Sequence, residues 1–170
     1  MDVVITGSSG LIGRALIPAL TAAGHRPIRL VRREPQAGRD EIRWDPAAGE
    51  IDAASLEGAD AVINLAGAGI GDKRWNDAYR RLLVTSRTEG TRLLATTLAS
   101  LQSPPACLLS GSAIGWYGNR GDEVLTEASP VGRGFLPDLC TEGEAAADPA
   151  AVVSKRPSGP VRPRTSGGAA

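Results

Sequence analysis

A single histidine occurs in the whole chain of 170 residues. That residue, His25, follows Gly24 at a helix stop and reads as a solvated loop residue rather than a catalytic base. Cysteine is almost as scarce. Cys107 lies in an apolar run and Cys140 in a helical one, without metal-ligand spacing, so reduced thiols and no metal site are expected. Net charge is absent as well: 19 lysines and arginines balance 19 aspartates and glutamates, which leaves nothing to steer the chain onto nucleic acid or an acidic membrane. The chain shows neither an apolar run near about eighteen residues nor a basic and apolar leader. It is therefore expected not to span a membrane or be secreted, and the cytoplasm is the default compartment. Its length suits one domain with a real core.

The strongest positive signal is the opening stretch, Met1-Asp-Val-Val-Ile-Thr-Gly-Ser-Ser-Gly-Leu-Ile-Gly13. Val3, Val4 and Ile5 form a β-branched run closed at once by Thr6-Gly7, the pattern of a buried strand that stops at a sharp turn. Gly7, Gly10 and Gly13 then recur every third residue. The first permits the turn, the second lets backbone approach a ligand, and the third lets the next helix lie against the strand. From Leu11 the apolar spacing is helical, with Leu11, Ile12, Ala15, Leu16, Ala19 and Leu20 expected on one core-facing side. The free N–H groups of the first turn would attract an anion, and a dinucleotide pyrophosphate is the usual one. A glycine triplet alone also fits a plain strand-to-helix turn. Strand, triplet and amphipathic helix in this order favour the dinucleotide.

The first helix is predicted over residues 11–23, bent by Pro18. A second strand, 28–31, ends in Arg32-Arg33. An acid at this strand end would accept hydrogen bonds from a ribose, whereas arginine suits a 2′-phosphate, so NADP is favoured over NAD. A solvated basic turn before Pro35 is the other reading. Residues 41–45 suit a short strand, and 50–59 a polar excursion with a little helix. Residues 61–65 form the next clear strand, closed by Ala66-Gly67, with its carboxyl end in the same crevice as Gly7. The glycine-rich segment 68–75 reads as either a mobile loop or a substrate edge. Asn76 is placed to cap a long helix to about Leu101, with Tyr79, Leu82, Leu83, Leu93, Leu94 and Leu98 as core. After Ser103-Pro-Pro105, residues 106–109 form a buried strand that runs into Ser110-Gly-Ser-Ala-Ile-Gly-Trp-Tyr-Gly118. The recurrence predicts an α/β fold: a doubly wound parallel sheet of about four or five strands, Rossmann-like, with helices on both faces. Beyond residue 151 acids and apolar periodicity vanish. The expected division is thus a domain over 1–153 and a disordered tail over 154–170.

Thr6-Gly-Ser-Ser-Gly-Leu-Ile-Gly13, Asn64-Leu-Ala-Gly67 and Ser110-Gly-Ser112 with Tyr117-Gly118 resemble the short-chain dehydrogenase/reductase superfamily, in its extended epimerase/dehydratase branch. Lys73-Arg-Trp75, Ser86-Arg87, Ser110-Gly-Ser-Ala113 and Phe135-Leu with Leu139-Cys140 are similar to a subgroup regarded as sugar-nucleotide epimerases that use NADP(H). The resemblance covers about residues 1–150. It implies that Gly7, Ser9, Gly10, Leu11, Ile12 and Gly13 hold the pyrophosphate, Arg32 the 2′-phosphate, and Leu65, Ala66 and Gly67 the adenosine side. Arg87, where the wider superfamily has a structural asparagine, is implied to reach the cofactor. Superfamily catalysis uses a tyrosine, a lysine four residues on and a serine. Ser112 matches the serine, but the tyrosine position falls on Leu136 and the lysine position on Cys140, neither of which can do that work. Tyr117 stands either as a substitute acid/base or as a ring that stacks on a ligand. The resemblance also implies a homodimer. Relatives continue into a substrate-binding lobe, so a truncation or reading-frame change near residue 150 is expected. Three functions stay open: an NADP(H)-dependent epimerase or reductase acting on a sugar nucleotide or similar carbonyl/alcohol, a non-catalytic NADP(H)-sensing module, and an inactive fragment.

Overall fold

The computed structural model describes residues 1–151 and the backbone of residues 160–161. At the centre of its sheet stands β1 (Asp2–Thr6), whose four last residues are all buried, as a strand covered on both faces requires. It is flanked by β2 (Arg26–Val31) on one side and β5 (Ala61–Asn64) on the other, both parallel to it. Outward from β2 come β3 (Glu41–Asp45), also parallel, and the two-residue β4 (Glu50–Ile51), which pairs antiparallel with it. Outward from β5 come β6 (Cys107–Gly111) and β7 (Pro160–Val161), both parallel. The order is therefore β4-β3-β2-β1-β5-β6-β7. Six parallel strands and one antiparallel edge exceed the four or five expected. The two extra strands, β4 and β7, are only two residues long each and so carry no hydrophobic pattern of their own.

Helix α1 (Leu11–Ala22) links β1 to β2, and α2 (Asp77–Ser100) links β5 to β6. The two crossovers run in opposite directions from the centre, so with right-handed connections the helices lie on opposite faces. Doubly wound sheets have their ligand crevice at that reversal, outside the carboxyl ends of β1 and β5. The main core lies on the α2 face. Val4, Ile28, Leu30, Ile42, Trp44, Val62 and Leu108 of the strands pack with Leu94, Ala95 and Leu98 of α2, and a short α4 (Asp148–Ala151) adds Ala150. α2 begins as expected: the Asn76 side chain accepts the Tyr79 N–H at 2.8 Å. The little helix expected in the polar excursion is a 3-10 turn at Ala54–Leu56.

Two expectations for the helices fail. Leu82, expected in the core, is exposed on α2. On α1 four of the six supposed core residues are turned out, with Leu11 91% and Ile12 63% exposed and Ala15 and Ala19 also open, while Leu16 and Leu20 are half-buried as expected. The helix is instead docked through buried Gly13, so the covered stripe is the one in phase with it, Leu16, Ile17 and Leu20. Pro18 lies inside the helix without ending it. Of the tail expected over 154–170, only Pro160–Val161 is described, and it pairs with Ser110–Gly111 at the end of β6; the rest lies outside the described residues. Both cysteines are free thiols.

Candidate functional site

At the carboxyl ends of the central strands a small set of buried polar groups is fully paired. Thr6 Oγ1 donates to Asn64 Oδ1 at 2.6 Å and accepts the N–H groups of Leu65 and Ala66 at 3.0 Å each. Asn64 Nδ2 donates onward to Thr91 Oγ1 of α2 at 2.9 Å and to Ser110 Oγ of β6 at 3.3 Å. β1, β5, β6 and α2 are thus tied at one point, directly beneath the crevice.

Above this point the glycines take the roles their spacing suggests. Gly7 has φ 65°, and a Cβ there would lie 2.5 Å from the Leu65 carbonyl oxygen, so the turn can cross the end of β5 only as glycine. At Gly13 a Cβ would lie 2.6 Å from the Gly7 carbonyl oxygen and 2.7 Å from Ser8 Cα, which is why α1 can dock against the turn. Gly10 is the N-cap of α1. It has no side chain to cap the first-turn N–H groups, and that turn carries no acidic residue. The helix therefore opens on the crevice with its positive end bare, an arrangement that fits a pyrophosphate.

Two clefts meet at this turn. The inner one, about 320 Å³, is lined by Gly7, Gly10, Leu11, Ile12 and Gly13 from the turn, Asn64 to Gly67 from β5, Arg87 and Thr91 from α2, Ser110 to Ala113 after β6, and Leu139, Cys140, Gly143 and Glu144 from α3 (Phe135–Ala145). The outer one, about 1100 Å³, runs from the same turn past Ser9 and Arg14 to Arg32 and Arg33, with Asp72 and Lys73 on its far edge. That far segment is tied down: Trp75 Nε1 donates to the Ile70 carbonyl at 2.8 Å and Tyr79 Oη to that of Gly69 at 2.5 Å.

The two arginines at the end of β2 differ in their commitments. Arg33 grips Glu41 with Nη1 at 2.8 Å and Nη2 at 2.7 Å, and also reaches the Glu34 carbonyl. Arg32 is exposed and, among the described residues, has no hydrogen bond or ion pair, so it lines the outer cleft uncommitted. Arg87 is the cation that lines the inner cleft. Its guanidinium passes Gly67, where a Cβ would be 3.3 Å from Cζ, and donates only to the Leu83 carbonyl at 3.2 Å. Burial lowers its pKa, with Cys140 and Tyr79 acting in the opposite sense.

All the residues expected at the site therefore converge on one of the two clefts except Tyr117. Its ring is 2% exposed, lies edge-on to Trp116 with centroids 5.3 Å apart, and lines neither cleft. The 3-10 turn Ile114–Tyr117 rotates it inward, and the chain closes behind it through the Gly132 N–H to Trp116 carbonyl bond at 2.9 Å. Tyr117 thus stands apart from both clefts in this arrangement. Leu136 and Cys140 pack on the segment after β6, with Cys140 Sγ 3.9 Å from the Ala113 carbonyl oxygen. Burial pushes the Cys140 thiol up, the Glu144 charge adds to this and Arg87 opposes it. The residue that sequence reasoning missed is Glu144, which accepts the Ser112 hydroxyl at 2.5 Å. Its one signal was spacing: it follows Cys140 by four residues and so shares its helix face.

A doubly wound sheet with a bare glycine turn at its switch point defines the Rossmann-like class of nucleotide-binding domains. Similarity to known proteins narrows this further. The family model for the NAD dependent epimerase/dehydratase family matches residues 3–134, and the chain belongs to that family. An epimerase family protein of Mycobacterium bovis is 45% identical over 148 residues, which cover 87% of this chain and 48% of that protein. Among solved structures, the nucleoside-diphosphate sugar epimerase of Corynebacterium glutamicum is 39% identical with a TM-score of 0.78, covering 96% of this chain and 33% of its own. Human epimerase family protein SDR39U1, solved with NADPH, is 32% identical with a TM-score of 0.74, covering 86% and 48% respectively. The chain spans about half the length of the curated relatives it matches.

The Arg33–Glu41 clamp predicts a pH effect. Glu41 is held down from its ordinary 4.5 to about 2, first by the Arg33 hydrogen bonds and then by the Gln36 N–H, while desolvation acts in the opposite sense. Because the folded value is depressed, the stabilisation is complete above 4.5 and is lost as pH falls toward about 2. Glu41→Gln should therefore be less stable than the parent at neutral pH, with the gap closing across that window in denaturant unfolding at stepped pH. A gap independent of pH would contradict the assignment.

Proposed function

We propose that residues 1–153 form the cofactor-binding unit of an NADP(H)-dependent epimerase or reductase that acts on a sugar nucleotide or a similar carbonyl/alcohol. The observation that carries this is the bare turn at Gly10: uncapped helix amides, no acid, and an uncommitted Arg32 along the same cleft. Relatives lend support, since the human protein was solved with NADPH and the corynebacterial one is described as a nucleoside-diphosphate sugar epimerase.

In this reading the backbone of Gly7, Ser9, Gly10, Leu11, Ile12 and Gly13 holds the pyrophosphate, and Ile12, largely exposed at the inner cleft, is covered by the ligand. Leu65, Ala66 and Gly67 line the adenosine side. Arg32 takes the 2′-phosphate as a two-pronged donor, and Arg87 supplies a second, partly desolvated cation from α2. A nicotinamide dinucleotide bound here supplies a two-electron hydride donor and acceptor. Ser112 then orients the reacting oxygen from the end of β6. A second reading, a sensing module without turnover, is favoured by one observation: Leu136 and Cys140 stand where the superfamily has its tyrosine and lysine, and buried Tyr117 lines neither cleft.

Calorimetric titration should show NADPH bound about tenfold or more tightly than NADH, the worth of one charge-assisted contact to the phosphate. Arg32→Asp should narrow or reverse that preference, and equal affinities in the parent would remove the argument from Arg32. Gly10→Val tests the turn itself. Gly10 has φ −74° and ψ 176°, an extended conformation that valine adopts readily, and a Cβ there would lie 3.3 Å from the Gly7 carbonyl oxygen, so the turn must give by a few tenths of an ångström and a thermal scan checks that the variant folds. Its side chain would stand over the first-turn amides and should abolish NADPH binding. Normal binding by a folded Gly10→Val protein would show that the ligand lies elsewhere.

A further inference from the structure

The face of α3 that carries Leu136 and Cys140 continues one turn further to Glu144, and this face packs on the segment that follows β6. A Cβ at Gly115 would meet Leu136 Cβ at 3.2 Å and Cys140 Sγ at 3.7 Å. One turn on, Glu144 Oε1 lies 2.5 Å from Ser112 Oγ. Among the described residues lining the inner cleft, Glu144 is the only carboxylate. The other ionisable or charged groups in this corner are Cys140 of the same helix, which also hydrogen-bonds Ser112, and Arg87 of α2; the thiol is pushed up and stays neutral, and the guanidinium stays charged.

A serine hydroxyl has one proton to give. When that proton is donated to an ionised carboxylate, Oγ turns only lone pairs toward the cleft and accepts a hydrogen bond from an alcohol. When the carboxylate is protonated it donates to Oγ instead, and the serine is free to donate to a carbonyl. The Ser112–Glu144 contact thus has the polarity switch that an alcohol/carbonyl interconversion needs.

We propose that Glu144 is the positioning residue behind Ser112 and stores the reaction proton, in place of the missing tyrosine and lysine. This rests on the dinucleotide reading above. In the oxidative direction the C–H bond of a ligand alcohol breaks, with both electrons going to the nicotinamide dinucleotide. The alcohol proton passes to Ser112 Oγ as the proton of Ser112 passes to Glu144, and the C=O bond forms. In the reductive direction the same proton returns by the same route.

The test uses the full chain saturated with NADP+, with trifluoroethanol as the alcohol probe, followed by fluorine NMR, and acetone as the competing carbonyl probe. In the parent the affinity ratio of alcohol to ketone should fall about threefold or more as pH is lowered, the worth of one hydrogen bond. The ratio should be flat in Glu144→Gln and in Ser112→Ala, and Glu144→Asp, which keeps the carboxylate, should keep the pH dependence. Thermal scans identify any variant that fails to fold, and each of the two flat variants serves if the other does not fold. A flat ratio in the parent, absence of saturable probe binding, or the same pH dependence in Glu144→Gln overturns the proposal. A parent that takes up no NADP+ at all fails earlier, in the cofactor titration, and ends the dinucleotide reading together with this one.

Discussion

The structure depends on a hydrogen-bonded knot at the carboxyl ends of its three central strands. Thr6 at the end of β1 receives the first two N–H groups beyond β5 and donates to Asn64, which in turn holds Thr91 and Ser110. Leaving one such buried group unpaired would cost about 1–3 kcal/mol, so the set stands or falls together. Its effect is geometric. With β5 locked to β1 at this height, the turn at Gly7 must cross the Leu65 carbonyl within a distance that no side chain tolerates, and the crossing in turn sets where α1 begins.

The site above the knot inherits that order. The uncapped amides at the start of α1 belong to the backbone, so their position is fixed by the sheet rather than by flexible side chains. Of the two arginines after β2, Arg33 is spent on Glu41 and Arg32 is left for the cleft; from the opposite side, α2 contributes Arg87. Ser112 and Glu144 form a separate polar corner, carried by β6 and α3. The glycine turn and the Ser112–Glu144 pair thus come from different elements, and both line the inner cleft. This suits a family of NAD-dependent epimerases and dehydratases, of whose curated members the chain spans about half the length.

What was legible in the sequence was local. The β-branched run ending in Thr6-Gly7, the glycine spacing, the Asn76 cap and the apolar strands at 61–65 and 106–109 all follow from short-range patterns, and each reappears within a residue or two. What was not legible depended on register between distant segments. The partner of Arg33 is set by the parallel pairing of β2 with β3, which no local pattern encodes. The orientation of α1 follows from the docking of Gly13, so its apolar residues at 11, 12, 15 and 19 misled a count of hydrophobic spacing. Tyr117 looked available because it stands at a strand end beside Ser112, and a single 3-10 turn buries it. Beyond its spacing from Cys140, Glu144 carries no local signal of a site, because only the packing of α3 on the segment after β6 brings it to Ser112.

The account is tested most directly by following the backbone amides of the labelled chain by NMR as NADPH is added. The largest saturable shifts should fall on the amides of Gly10, Leu11, Ile12 and Gly13, accompanied by Ala66 and Gly67 across the cleft. If these amides stay in place at saturating NADPH while others move, the dinucleotide does not lie across the β1–α1 turn and the assignment is wrong.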